Sequence, residues 1–226
     1  MKRRNAMLAA LFGGILAAGS ALAAEDASKV TAEAALKHLL DGNQRYVQQQ
    51  MTGVRLCDVS ARQKLAGGQA PVAIILSCSD SRVPPELIFD EGLGEIFVVR
   101  VAGNVVDPIV LGSVEYAAEH LGTPLVMVLG HERCGAVKAT VESHGEGHGN
   151  IGAIVKAIAP ALKSAKKSED KAQYVEAVVA ANVARVKERL TADSKVLEEL
   201  VHAGKLKIVT AKYDIDDGIV TVLEGL

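Results

Sequence analysis

Residues 71–82 read PVAIILSCSDSR, and they decide the class of fold. After the proline, Val72–Ser77 (VAIILS) is apolar at every position but the last and is rich in β-branched side chains. The polar stretch Cys78–Arg82 follows it directly. A short apolar run bounded in this way predicts a strand that is covered on both faces, the usual environment of a parallel strand.

Runs of the same kind recur along the chain. They are Glu95–Val101 (EIFVVRV), Leu125–Gly130 (LVMVLG), Lys207–Ala211 (KIVTA) and Gly218–Leu223 (GIVTVL). Stretches between them have helical patterns, and Pro160 is expected to end or kink one of these helices. The alternation predicts an α/β fold: a single domain with a mostly parallel four-stranded central sheet plus an edge strand, flanked by helices.

An amphipathic helix is predicted ahead of the first strand. Apolar residues recur at helical spacing in Thr31–Gln50, and Thr31 suits the N-cap position. This helix belongs to an N-terminal helical arm, residues 24–60, of a domain that we expect to span residues 24–226.

The first 23 residues predict a signal peptide. Residues 2–4 are basic, residues 6–18 are apolar but short for a bilayer span, and Ala21–Ala23 forms a small-x-small cleavage site. The abrupt change to Glu25 and Asp26 argues against an uncleaved anchor. We expect cleavage after Ala23 and a periplasmic or secreted protein that is free of the membrane, exported by the general or the twin-arginine route.

Composition and charge narrow the possible functions. Hydrophobic residues make up 49% of the chain, which excludes disorder, and the low aromatic content of 3% predicts a core of aliphatic side chains. The chain has 25 basic and 27 acidic residues, and signal cleavage removes only basic ones. The basic stripe of a nucleic-acid-binding protein is therefore not expected.

Two polar motifs follow predicted strands. Cys78–Arg82 (CSDSR) comes after the first strand, and His131–Gly135 (HERCG) comes after the strand Leu125–Gly130. Ligands of open α/β sheets bind at the carboxyl ends of the strands, so the two motifs should meet there if the strands are neighbours. Two thiolates and one imidazole are zinc donors, and three protein ligands leave the open position of a catalytic site. We therefore predict a zinc site formed by Cys78, His131 and Cys134.

Asp80 and Arg82 lie on the same turn as Cys78. Arg82 can hold the Asp80 carboxylate through two hydrogen bonds. That carboxylate could orient a water molecule on the metal, or it could swing onto the metal and block the open position.

The cysteines allow a second interpretation. An exported protein with three cysteines often forms one disulfide, here Cys78–Cys134 or Cys57–Cys78, with one thiol left over. The joint placement of two cysteines and a histidine at strand ends favours the metal site. Cys57 is then interpreted as a structural or free thiol.

The motifs CSDSR, residues 78–82, and GHERCGA, residues 130–136, resemble those of the β-class carbonic anhydrases. The resemblance extends from the helix near Leu36 to the last strand. It implies zinc-dependent reversible hydration of carbon dioxide to bicarbonate and a proton by a zinc-bound hydroxide, with one zinc ion per subunit and a homodimer or tetramer.

The resemblance also implies roles for single residues. By this resemblance, the zinc ligands are Cys78, His131 and Cys134. Asp80 is a fourth ligand in those members of the family whose site closes at lower pH. Its catalytic pair is Asp80 and Arg82. Its substrate-binding positions are Gln69, Phe97, Tyr116 and Gly135, and the apolar pocket is completed across a dimer interface.

Other functions remain open from the residues alone. The same ligands could serve a hydrolase of carbonyl sulfide or carbon disulfide. A zinc-binding or redox-sensing protein of the periplasm would bind the metal, or form the Cys78–Cys134 disulfide, without turnover. His144 and His148 lie in a glycine-rich stretch, which favours a flexible polar loop over a proton shuttle or metal-capturing pair.

Overall fold

The computed structural model describes residues 30–53 and 58–225. The predicted signal peptide, its cleavage site after Ala23, and Cys57 lie outside the described residues. The domain limits 24–226 and the arm 24–60 therefore stay predictions.

A five-stranded sheet forms the centre of the described chain. Its strands are β1 (Ala73–Ser77), β2 (Ile96–Arg100), β3 (Leu125–His131), β4 (Lys207–Tyr213) and β5 (Val220–Glu224). Their order is β2-β1-β3-β4-β5, and every neighbouring pair is parallel except the antiparallel pair β4–β5. The predicted fold class and the edge position of the last strand are confirmed.

Helices cover both faces of this sheet. They are α1 (Ala32–Val47), α2 (Val59–Leu65), α3 (Pro85–Ile88), α4 (Pro108–Glu115), α5 (Gly135–Glu142), α6 (Ile151–Ile158), α7 (Ala161–Ser164), α8 (Lys171–Ala192) and α9 (Lys195–His202). A 3₁₀ turn spans Ala102–Asn104, and a π-helical turn, Tyr116–His120, continues α4. The break between α6 and α7 falls at Pro160, as the sequence predicts.

The residues of β1 show why its sequence is apolar throughout. Ala73 and Ile75 belong to one apolar cluster, whereas Ile74 and Leu76 belong to the cluster on the opposite face, and all four are fully buried. Successive side chains of a strand point to opposite faces, so a strand with helices on both sides needs apolar residues at every position.

Helix α1 packs on the domain of its own chain. Thr31 caps it, since its Oγ1 accepts a hydrogen bond from Ala34 N at 3.2 Å. The buried Asn43 donates to the carbonyl oxygens of Ile88 and Gly218, at 3.1 and 2.8 Å. Its Oδ1 accepts the Val220 N–H at 2.9 Å, so one side chain joins α1 to the end of α3 and to the start of β5.

Of the helices in the described ranges, none combines the length and the hydrophobicity that a bilayer crossing requires.

Candidate metal centre

Two neighbouring strands bring the predicted ligands to one edge of the sheet. β1 pairs in parallel with β3, and Ser77 lies opposite Leu129. Cys78 comes one residue after β1, and His131 is the last residue of β3. Cys134 reaches the same place as the N-cap residue of α5. The three side chains therefore meet at the carboxyl ends of the strands, where α/β sheets bind their ligands.

The three side chains form a compact buried cluster. The two sulfurs and a ring nitrogen of His131 all lie within 4.8 Å of one another. Cys78, His131 and Cys134 are buried, and both cysteines are free thiols. The structure therefore has the arrangement that the metal interpretation requires and not the disulfide considered from the sequence.

The ring of His131 is oriented so that its Nε2 atom is available to bind a metal ion. Its Nδ1 lies 2.8 Å from the carbonyl oxygen of Glu132, so Nδ1 carries the proton and donates it. Nε2 is then an acceptor, and it is buried without a hydrogen-bond partner among the described residues. Metal-binding histidines commonly donate their second ring nitrogen to a carbonyl oxygen in this way.

The two thiols cannot easily ionise together. A hydrogen bond from the Cys134 thiol lowers the pKa of Cys78 to about 4, and contacts with His131 and the Gly103 N–H contribute to this shift. The pKa of Cys134 is raised because its thiol proton is held by the Cys78 sulfur and because the group is buried. A second thiolate at this place needs a cation beside it.

These observations fit a zinc ion. Two buried sulfurs that require a cation and an imidazole nitrogen without a partner make up the Cys₂His ligand set of a catalytic zinc site. Three protein ligands leave the fourth coordination position to water or substrate.

Asp80 and Arg82 form a pair beside this cluster. Arg82 donates from Nε to Oδ1 at 2.9 Å and from Nη2 to Oδ2 at 2.6 Å, and its backbone N–H also donates to Oδ1 at 3.0 Å. These bonds hold the pKa of Asp80 far below its ordinary value. The carboxylate is therefore ionised and faces Arg82, and its binding to zinc in a closed state stays a prediction.

Arg100, at the end of β2, fixes the loop that carries these residues. It donates from Nε to the Cys78 carbonyl oxygen at 2.9 Å and from Nη2 to that of Asp80 at 2.6 Å. No role was predicted for it from the sequence. Its position could have indicated this role, because Arg100 is the last residue of β2, the strand that lies beside β1.

The predicted substrate-binding residues fall into two groups. Gly135 begins α5 beside Cys134, and a side chain at this position would extend into open space. Gln69 and Tyr116 instead line a surface cavity of about 920 Å³ together with Gly94, which precedes β2.

The Phe97 and Tyr116 rings are in contact, with their centroids 6.2 Å apart. Phe97 is the second residue of β2, so this aromatic pair lies near the amino ends of the strands. A five-residue strand spans about 16 Å. Within one subunit, Gln69, Phe97 and Tyr116 are therefore not brought to the metal cluster.

The carbonic anhydrase family model matches residues 73–220 of the chain. Carbonic anhydrase 2 of Mycobacterium tuberculosis is 40% identical over 186 residues, which cover 82% of this chain and 89% of that protein. This chain belongs to the carbonic anhydrase family. The carbonic anhydrase of Mycolicibacterium smegmatis is 50% identical over 113 residues, or 50% of this chain and 54% of that protein.

Solved structures assign the class within the carbonic anhydrases. The Coccomyxa β-carbonic anhydrase, solved with acetazolamide, has a TM-score of 0.69 and 26% identity and covers 82% of this chain and 84% of its own. A tetrameric β-carbonic anhydrase of Sordaria macrospora has a TM-score of 0.64 and 26% identity. The match covers 71% of this chain and 84% of that one. The chain is thus a β-carbonic anhydrase, a zinc-dependent lyase for the reversible hydration of carbon dioxide to bicarbonate and a proton.

A second group of possible metal ligands lies next to the zinc site of this carbonic anhydrase. It consists of Glu132, Asp214 and Asp216, whose carboxylates lie within 4.8 Å of one another. Lys212 approaches Glu132 at 3.0 Å, and Arg133 approaches Asp216 at 2.9 Å. Each of these cations pairs with one of the acidic side chains, so we interpret the group as an ion-pair network that braces the His131–Cys134 loop.

Proposed function

We propose that this carbonic anhydrase acts as a homodimer, or as a tetramer of such dimers. Each active site would combine the zinc ligands of one subunit with Gln69, Phe97 and Tyr116 of the other. The observation that supports this most directly is the position of these three residues near the strand ends opposite to the metal cluster. The cavity that Gln69 and Tyr116 line includes none of the three zinc ligands.

The surface around Gln69 suits an interface. Tyr116 is 47% exposed, and Leu93, which lines the same cavity, is an exposed apolar residue. Exposed apolar groups that cluster on one side of a soluble protein are typical of contact surfaces between proteins. The similar β-carbonic anhydrases of Sordaria macrospora are tetrameric, which agrees with this proposal.

The side chains at such a site would have different roles in the reaction. When bound, zinc lowers the pKa of a water molecule and so supplies a nucleophile near neutral pH. Arg82 keeps Asp80 ionised, and this carboxylate would accept a hydrogen bond from such a water molecule and so orient it. Gln69 would orient the substrate oxygens, Gly135 would leave the backbone accessible beside the metal, and the Phe97–Tyr116 pair would keep the pocket apolar for a neutral gas.

Mixing two inactive variants tests the shared site. Cys78→Ser removes a zinc ligand, and Gln69→Ala removes the amide that orients substrate. If the two act in one site from different subunits, a mixed dimer contains one site with both changes and one intact site. Random mixing should therefore restore roughly a quarter of the wild-type hydration rate.

A matched mixture gives the control. Cys78→Ser and Cys134→Ser both alter the metal-binding half of the site, so their mixed dimer has no intact site and should stay inactive. The shared-site proposal fails if the first mixture also remains at the level of its components after subunit exchange.

We further propose that the enzyme is exported. The basic residues 2–4, the apolar residues 6–18 and the Ala21–Ala23 site support this, since together they have the three parts of a signal peptide. The protein recovered from the periplasm or medium of an export-competent bacterial host should begin at Ala24 by N-terminal sequencing. An intact chain that begins at Met1 and stays in the cytosolic fraction would contradict the proposal.

A further inference from the structure

Helix α8, Lys171–Ala192, buries one amide side chain in an otherwise apolar face. Asn182 is only 2% exposed and lies among the buried residues Val178, Val179, Val183 and Val186 of the same helix. A polar group buried among valines is unfavourable unless it forms hydrogen bonds. The contacts of Asn182 therefore indicate what this residue does.

Asn182 holds the backbone of Gly103. Its Nδ2 donates to the Gly103 carbonyl oxygen at 2.9 Å, although the two residues are 79 positions apart in the chain. Gly103 in turn donates its N–H to the Cys78 sulfur at 3.3 Å. One residue thus joins the long helix to a zinc ligand.

Packing fixes Gly103 from the other sides. A Cβ at this position would lie 2.6 Å from Ile158 Cδ1 and 3.2 Å from Ala136 Cβ, and the φ angle of the residue is +69°. Only glycine adopts such a conformation readily and also allows this close approach. Asn182 supplies the directional contact that fixes the Gly103 carbonyl, and so helps to hold in place the residue whose N–H reaches the Cys78 sulfur.

We propose that Asn182 is a positioning residue of the metal centre. It orients Gly103 so that the Gly103 N–H stays on the Cys78 sulfur. A hydrogen bond from an amide to a metal-bound thiolate withdraws part of its negative charge, and contacts of this kind tune both the binding and the reactivity of the metal. The proposal rests on the zinc site of this carbonic anhydrase but not on the shared dimer site.

A second contact from the same helix supports this role for α8. Glu176 Oε1 accepts the backbone N–H of Arg133 at 2.8 Å, in the loop between His131 and Cys134. Arg133 has a φ angle of +52°, so this contact stabilises a backbone conformation that residues other than glycine rarely adopt. Helix α8 therefore contacts both backbone segments that surround the two thiols.

Zinc affinity of the Asn182→Leu variant tests the proposal. Leucine has a similar size but cannot donate a hydrogen bond, so chelator competition should show zinc binding that is about 10- to 100-fold weaker. In protein loaded with Co²⁺, the sulfur-to-cobalt charge-transfer band should move to lower energy, because the Cys78 thiolate loses part of its hydrogen bonding. Val186→Ala is the control, since it removes buried contacts from the same helix without touching the site.

The proposal is overturned if Asn182→Leu binds zinc as tightly as wild type with an unchanged cobalt spectrum, or if Val186→Ala causes the same changes. Asn182→Asp keeps the shape and replaces the donor by an oxygen, so it gives the same test should the leucine variant fail to fold. These metal measurements do not depend on the mixing experiment with Cys78→Ser and Gln69→Ala subunits, so they remain a valid test if that mixture stays inactive.

Discussion

The Cys78→Ser variant is expected to lose bound zinc and carbon dioxide hydration together. Cys78 contributes one of only three protein ligands, and a serine hydroxyl is a poor zinc donor that stays protonated near neutral pH. Changes to residues that merely support ligands cost about 10- to 100-fold in metal affinity or activity, so the loss of a ligand should lower the hydration rate by more than about 100-fold. Metal analysis and a stopped-flow pH-indicator assay on the same sample measure both losses.

Cys57→Ser is the matched control for this experiment. It makes the same chemical change at the third cysteine, to which the sequence assigns no metal partner. We expect this variant to keep one zinc ion per subunit and the wild-type rate. A Cys78→Ser protein that retains stoichiometric zinc and full activity would contradict the assignment of the ligand.

The Asp80→Asn variant should keep its zinc and lose most of its rate. The amide has the size of the carboxylate but carries no charge, and it can present a donor where the carboxylate offers only acceptors. Groups that orient or accept a proton in the transition state contribute about 10²- to 10⁴-fold, and we expect a decrease in kcat in this range. Zinc analysis together with the hydration rate separates this result from simple metal loss.

The pH dependence of this effect follows from Arg82. Its hydrogen bonds lower the pKa of Asp80, so acidification to about pH 5 does not protonate the wild-type carboxylate. The ratio of wild-type to Asp80→Asn rates should therefore stay constant from about pH 5 upward. A ratio that falls towards one between about pH 7 and pH 5 would mean that Asp80 is protonated there and would contradict the pairing with Arg82.

The meeting of Cys78, His131 and Cys134 could be predicted because the two motifs that carry them follow recognisable strands. Strands β1 and β3 are apolar at almost every position, and this pattern also predicts that they are buried in a parallel sheet. Cys78 and His131 are adjacent in sequence to those strand ends, so the order of the strands alone brings them together.

Features without an apolar pattern were not predicted. Helix α2, Val59–Leu65, has no buried residues, so its sequence lacks the periodicity that reveals a packed helix. Helix α3, Pro85–Ile88, is a single turn and too short to show any period.

Long-range polar contacts cannot be inferred from a single sequence, for a different reason. The Asn182 amide and the Gly103 carbonyl are brought together only by the packing of α8 on the sheet. The position of Gln69, by contrast, could have been inferred, because it precedes β1 whereas Cys78 follows it. Strand β1 itself separates these two residues, and this separation is the physical basis for expecting a second subunit.

X-ray absorption at the zinc edge tests the central claim most directly, because it counts the atoms bound to the metal in the purified enzyme. We predict two sulfur atoms at about 2.3 Å, one imidazole nitrogen at about 2.0 Å and one further light atom. A spectrum without a sulfur shell, or one that requires four sulfurs, would contradict a site built from Cys78, His131 and Cys134.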